Sequence, residues 1–157
     1  MFLIEGGWEV VKESEKDRSF SKQEIKLGIL LWFRMTRFYN KNIKRTNNHL
    51  KKWGLTAAQF DVISNIGKSE PITQQELAEK LVVTKGNITQ LLSKLEKLGL
   101  VRRDREWKTN YLSLTDKGVA LYDDVVLEQQ RFQACQFGRL NVEEQKQLLQ
   151  LLKKIQD

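Results

Sequence analysis

With 157 residues the chain is long enough for one domain with a real core and too short for two generous ones. It carries 27 Lys and Arg against 20 Asp and Glu, a formal charge of +7. That makes a polyanionic partner a fair expectation but says little alone, because basic chains also bind membranes and acidic proteins. One cysteine, Cys135, and one histidine, His49, exclude a disulfide framework and zinc-finger spacing, so neither a metal nor a cofactor is expected.

Residues 1–20 include Phe2, Leu3, Ile4, Trp8, Val10 and Val11, too apolar for a free tail, yet Gly6-Gly7 breaks any helix there. They read equally as an arm that packs on a partner subunit or as a frayed end. The start lacks the basic and continuous apolar regions of a secretory signal. The apolar run 28–33, between Lys26 and Arg34, is far short of the ~20 residues a membrane span needs. A cytoplasmic protein without a membrane partner is expected.

Ser21 with Glu24 makes a capping box that starts a long helix ending near Trp53-Gly54. Its first half is apolar nearly all round, from Ile25 through Trp32 and Phe33 to Phe38 and Tyr39. Such a helix must be covered on several sides. A second copy of the chain can do that by burying ~2,000 Å² or more, as obligate dimers do. Between Glu24 and Asp61 there is no acid, while Lys26, Arg34, Arg37, Lys41, Lys44, Arg45, Lys51 and Lys52 are cationic. The cations could meet phosphates, or an anionic aromatic ligand beside Trp32, Tyr39, His49, Trp53 and Phe60. A basic solvated face over an aromatic core is the simpler account of any one of them, and His49 reads as a surface or capping histidine.

Thr56 and Gln59 form a further box, opening a short helix with Phe60, Val62, Ile63 and Ile66 as core and Gly67 at its end. After the 69–71 turn, Thr73 and Glu76 cap a helix with Leu77, Ala78 and Leu81 on one face. Thr84 caps the next, whose stripe is Ile88, Leu91, Leu92, Leu95 and Leu98, and Gly99 stops it. Outside that stripe, Lys85, Gly86, Asn87, Thr89, Gln90 and Ser93 crowd the helix start. Amides and hydroxyls pair with base edges, and glycine lets a backbone approach closely. A helix of this sort fits the major groove, first turns nearest the bases; a merely solvated face would also be polar.

Leu100-Val101 starts a strand, and Leu112 and Leu114 alternate with Ser113 on the returning one. The stretch between, Arg102 to Asn110, is a net basic loop projecting beside the helix, where a cation can answer to minor-groove width and potential. Trp107 is expected to pack across the hairpin. Thr115-Asp116 opens a helix through about Phe137, with Val119, Tyr122, Val125, Val126, Gln129 and Phe132 at core spacing. Asn141 with Glu144 caps a last helix carrying Val142, Leu148, Leu149, Leu152 and Ile155. Cys135 reads as a small buried hydrophobe.

The segments LTAAQFDVI, ITQQELAEKLVVTKGNITQLLSKLEKLGLVRR and LSLTDKG resemble, in register from Leu55 to Gly118, the MarR family of winged helix-turn-helix regulators. The resemblance implies a mainly α fold as an obligate homodimer. Residues 1–157 would form one domain, with dimerisation helices at 21–54 and 116–157 around a winged helix-turn-helix lobe at 55–115. It also implies a ligand site between dimer base and lobe, for a small aromatic or anionic molecule. Glu106 and Lys108 stand where the family has an Asp that braces the wing and an Arg that enters the minor groove, and the wing is about three residues shorter. Lysine lacks the guanidinium fork, and Arg105 is placed to take over that role. The family's peroxide sensors carry their cysteine near the first helix, and this chain has none there.

No Gly-rich phosphate loop, HExxH, GxSxG or Cys–His pair is present, so no catalytic residue is nominated and an enzyme is not expected. A winged helix used as a protein-interaction or architectural module tends to lose its basic face, and this one keeps Lys85, Arg102, Arg103, Arg105 and Lys108. The expected function is a ligand-responsive repressor, a homodimer on a pseudo-palindromic double-stranded operator. Helix 85–98 would read the major groove and wing 102–110 the minor groove, with Gln74, Gln75, Arg102 and Arg103 on the backbone.

Overall fold

The computed structural model describes residues 19–69, 71–107 and 109–156; the expected arm over residues 1–20 lies almost wholly outside them. The chain forms two compact units, Met1–Lys41 and Asn42–Asp157. Helix α1, Lys22–Leu50, begins in the first and ends in the second. Its start is closed by the expected box, the Ser21 N–H donating to Glu24 Oε2 and the Glu24 N–H to Ser21 Oγ. Within the first unit Ile25, Leu27, Ile29, Leu30, Leu31, Trp32, Phe33, Met35, Phe38 and Tyr39 are all exposed.

In the second unit α1 passes into a 3₁₀ turn, Lys51–Trp53, ended by Gly54 in the left-handed region. Helix α2, Ala57–Lys68, carries the Thr56–Gln59 box and runs one residue beyond Gly67. Strand β1, Ile72–Thr73, leads directly into α3, Gln74–Lys80, and then α4, Lys85–Lys97. Thr73 and Thr84 cap these helices by accepting the N–H of Glu76 and of Asn87. The hairpin follows as β2, Val101–Glu106, and β3, Thr109–Leu114, and the chain closes with α5, Asp116–Cys135, and α6, Val142–Gln156. The reciprocal Asn141–Glu144 box precedes α6.

The sheet is antiparallel in the order β1-β3-β2, with Ile72 opposite Leu112 and Val101 opposite Leu114. Strand β1 was not expected: two residues carry no periodicity, and their pairing partners lie about forty positions on. Nor is 102–110 a loop. The strands stay paired out to Glu106 opposite Thr109, because each added pair satisfies backbone groups that a loop leaves to water.

One core holds the lobe together. Leu50, Val62, Ile63, Ile66, Leu77, Ile88, Leu92, Leu95 and Leu112 are essentially fully buried, and each such side chain contributes ~1.5–3 kcal/mol by leaving water. From α5, Val125 joins this core and Gln129 is buried with it. Three expectations are corrected here. Leu98 is exposed: it is the C-cap, its backbone still right-handed, and the chain turns away at Gly99 before another helical turn can cover it. Cys135, the last residue of α5, is exposed rather than buried, and Val119 lies outside the core.

Candidate nucleic-acid interface

Helix α4 is anchored on one side by Ile88, Leu92 and Leu95, all buried. Its other side presents Lys85, Gly86, Asn87, Thr89 and Gln90 exposed, and Ser93 half-buried. With Thr84 as N-cap the first turn cannot fray, so these groups stand on a rigid element. Gly86 has no atom within 4 Å of where a Cβ would sit, so nothing inside the fold needs a glycine there.

Two of the nominated residues act inside the lobe. Gln74 Nε2 donates to Thr89 Oγ1 at 3.0 Å, and that hydroxyl donates in turn to the Lys85 carbonyl at 2.8 Å. This bridge ties the start of α3 to the exposed end of α4. Gln75 is exposed and donates to Glu79 at 3.0 Å.

On the hairpin, Arg102 is exposed, its Nε donating to Ser113 Oγ at 2.9 Å and lying 3.4 Å from Asp104. Arg103 points the other way, as period-2 alternation requires. Its guanidinium meets Glu96 of α4 at 3.1 Å, both side chains mostly covered. Arg103 thus joins the hairpin to the reading helix. Arg105 is exposed and donates to the Trp107 carbonyl at 3.4 Å, while Lys108 lies outside the described residues. Trp107 does not pack across the hairpin. It stands at the tip with φ 55° and is 97% exposed, since a tip residue has no cross-strand neighbour to cover it.

The residues nominated for a ligand fall in both units. Trp32 and Tyr39 are exposed in the first unit. Phe60 is buried in the lobe core. His49 is half-buried rather than free at the surface: its ring stacks on Phe132 at 4.1 Å and meets Trp53 edge-on at 5.5 Å. Burial, and then the Lys52 charge, lower its pKa from the usual histidine value, with Glu128 acting weakly the other way. Lys52 is salt-bridged to Glu128 and lies 3.9 Å from the Trp53 ring centre. The Trp53 indole N–H donates to Asp124 at 2.6 Å. Sequence spacing could not show that α1 and α5 meet here, because the contacts join positions some eighty residues apart.

Among the described residues no helix is long and apolar enough to cross a membrane. The MarR family model matches residues 53–106, the span from the 3₁₀ turn to the end of β2. An uncharacterized HTH-type transcriptional regulator of Bacillus cereus is 45% identical over 130 residues, covering 82% of this chain and 88% of that protein. Among solved structures, a mutant MarR from E. coli complexed with operator DNA has a TM-score of 0.74 and 28% identity, covering 88% of this chain and 99% of that one. AbsC, a MarR family regulator from Streptomyces coelicolor, has a TM-score of 0.77 at 20% identity, covering 88% and 95%. A shared lobe, a shared fold along most of the chain and close sequence relatives agree, and this protein belongs to the MarR family of winged helix-turn-helix transcriptional regulators.

Proposed function

We propose that the chain acts in the cytoplasm as a homodimeric, sequence-specific repressor on a pseudo-palindromic double-stranded operator. The observation that carries this is the start of α4, where Lys85, Asn87 and Gln90 project, with the half-buried Ser93 a turn further on, from a helix whose other side is locked into the core. Rigid, exposed amide and hydroxyl groups at a helix N-terminus are what base edges in a major groove require. The similarity to a family member crystallised on operator DNA supports the same placement.

Dimerisation is supported by apolar surface. The exposed run from Ile25 to Tyr39, with Val142, Leu149, Leu151 and Ile155 exposed on α6, exceeds what monomers leave in water. A second copy is the partner that needs no further assumption. Half-sites would then lie about one helical turn (~34 Å) apart. A small aromatic or anionic ligand that binds one spacing of the reading heads better than another would release the operator. His49 and Trp53, with Lys52 beside them, are where such a ligand would be felt.

The test is selection of a binding site from random duplexes, followed by titration at several salt concentrations. Affinity should fall steeply with salt as phosphate neutralisation requires. Asn87→Ala and Gln90→Ala should each relax preference at one base position, costing ~1–3 kcal/mol where the contact is bidentate. Intact sequence preference in both variants would remove α4 as the reading helix.

A further inference from the structure

The hairpin pairs without interruption from Val101 opposite Leu114 to Glu106 opposite Thr109, so residues 107 and 108 alone separate the strands. Two-residue connections demand left-handed backbone, which is why Asn-Gly and Asp-Gly dominate them. Trp107 adopts that region, φ 55°, where a bulky side chain is strained and asparagine or glycine is not. The indole recovers nothing from the fold. It is 97% exposed, and among the described residues only its carbonyl has a partner, Arg105 Nε at 3.4 Å. A strained backbone carrying a large apolar ring into water is a cost without a folding benefit, and such outliers gather where a ligand is engaged.

The surroundings say which ligand. Arg102, Asp104, Arg105 and Glu106 are all exposed on the strand leading to the tip; Arg102 lies 3.4 Å from Asp104, and Arg105, bonded to the Trp107 carbonyl, is the cation held beside the apolar plate. A phosphate wall beside a narrow, partly apolar groove floor matches that arrangement. The indole also carries one N–H donor and no acceptor. In the minor groove, A·T pairs offer only the acceptors A N3 and T O2, whereas G·C pairs add the obstructing G N2 amino group. Apolar side chains are used against that groove by many proteins.

We propose that Trp107 is the minor-groove residue of this hairpin, entering edge-on against the sugar walls with Nε1–H donating to A N3 or T O2. It thereby sets a preference for A·T pairs flanking the half-site read by α4. This rests on the proposed DNA-binding function and adds to it a specificity contact made by an aromatic ring rather than a cation.

The experiment uses the full chain and the selected operator in two forms, identical in the half-sites and differing only in A·T or G·C flanks. Wild type should prefer the A·T form. Trp107→Gly should lose about tenfold in affinity for that form, the scale of one aromatic–base contact, and little for the G·C form. It should also raise the urea midpoint, since the strain is relieved. Trp107→Phe should keep part of the affinity and only part of the flank preference, because its ring still meets the G N2 amino group while the donor is lost.

If wild type binds no duplex at all, the proposed function fails. If wild type binds the operator but Trp107→Gly binds both forms equally well, or loses affinity equally for both, the tip assignment is overturned while the regulator stands. A change of oligomeric state in Trp107→Gly with unchanged DNA affinity would likewise overturn it, assigning the ring to a protein contact.

Discussion

Replacing Gly118 by alanine tests how the hairpin is tied to the helix after it. Gly118 is the third residue of α5, and its N–H donates to the capping hydroxyl of Thr115 at 3.1 Å. A Cβ there would fall well inside the van der Waals shell of the Leu100 carbonyl oxygen, 3.0 Å from that carbonyl carbon and 3.3 Å from Leu114 Cβ. The obstruction is backbone, which cannot rotate aside as a flexible side chain could. The junction is also held by hydrogen bonds. The Thr115 N–H donates to Leu100 O at 3.1 Å, Thr115 Oγ1 to Gly99 O at 2.6 Å and Lys117 Nζ to Leu98 O at 2.8 Å.

Moving α5 far enough to admit the methyl breaks the first two, at about 1 kcal/mol each. Repacking Leu114 adds the ~1–3 kcal/mol of an overfilled core. Alanine returns ~0.5–1 kcal/mol as the better helix former, which leaves a net loss of about 2–4 kcal/mol. Urea denaturation at matched protein concentration measures it through the midpoint at constant slope. Gly86→Ala is the control. Nothing lies within 4 Å of a Cβ there, so it should gain up to ~1 kcal/mol in stability while weakening operator binding. A Gly118→Ala loss below 1 kcal/mol would refute the steric argument.

Val82, a β-branched residue at φ 51° and 91% exposed in the turn between α3 and α4, should be improved by glycine. Val82→Gly removes strain of ~1–2 kcal/mol and should raise the urea midpoint; a lower midpoint would count against it. Arg103 and Arg105 should separate by assay. Arg103→Ala, which strips Glu96 of its mostly covered partner, should lower stability, whereas Arg105→Ala should leave stability alone and flatten the salt dependence of operator binding by about one phosphate contact. His49 has a folded pKa below its unfolded value, chiefly through burial. The unfolded chain therefore takes up the proton first, and the contribution of His49, whole above the usual histidine pKa near 6.5, is lost as pH falls through the folded value. Denaturation midpoints from pH 8 to pH 5 should show that decline, and His49→Phe, which keeps the stack on Phe132, should lack it.

The legible parts of this fold are those whose causes lie within four residues. Ser21–Glu24, Thr56–Gln59, Thr73–Glu76 and Asn141–Glu144 all close as boxes, because donor and acceptor are brought together by one turn of helix whatever else the chain does. Gly99 stops α4 in the left-handed region, and the apolar spacing of α2 and α4 names most of the core. The exposed face of α4 was legible by subtraction, as what remained once the stripe was assigned. Apolar excess along residues 25–39 likewise asks for a partner from the sequence alone.

Local spacing therefore suffices for the set of helices, their caps, the core face and the polar face left over. Tertiary structure alone decided which of the polar residues remain free for a ligand. Gln74 bonds Thr89 and Arg103 meets Glu96, so residues of the same type as their exposed neighbours became braces. His49 lies between Phe132 and Trp53, Ile72 finds a strand forty positions away, and Trp107 is left bare at a two-residue tip. Each of those outcomes depends on which distant segment arrives alongside. Local composition carries no information about that, because side-chain chemistry permits several partners and only the packed chain selects one.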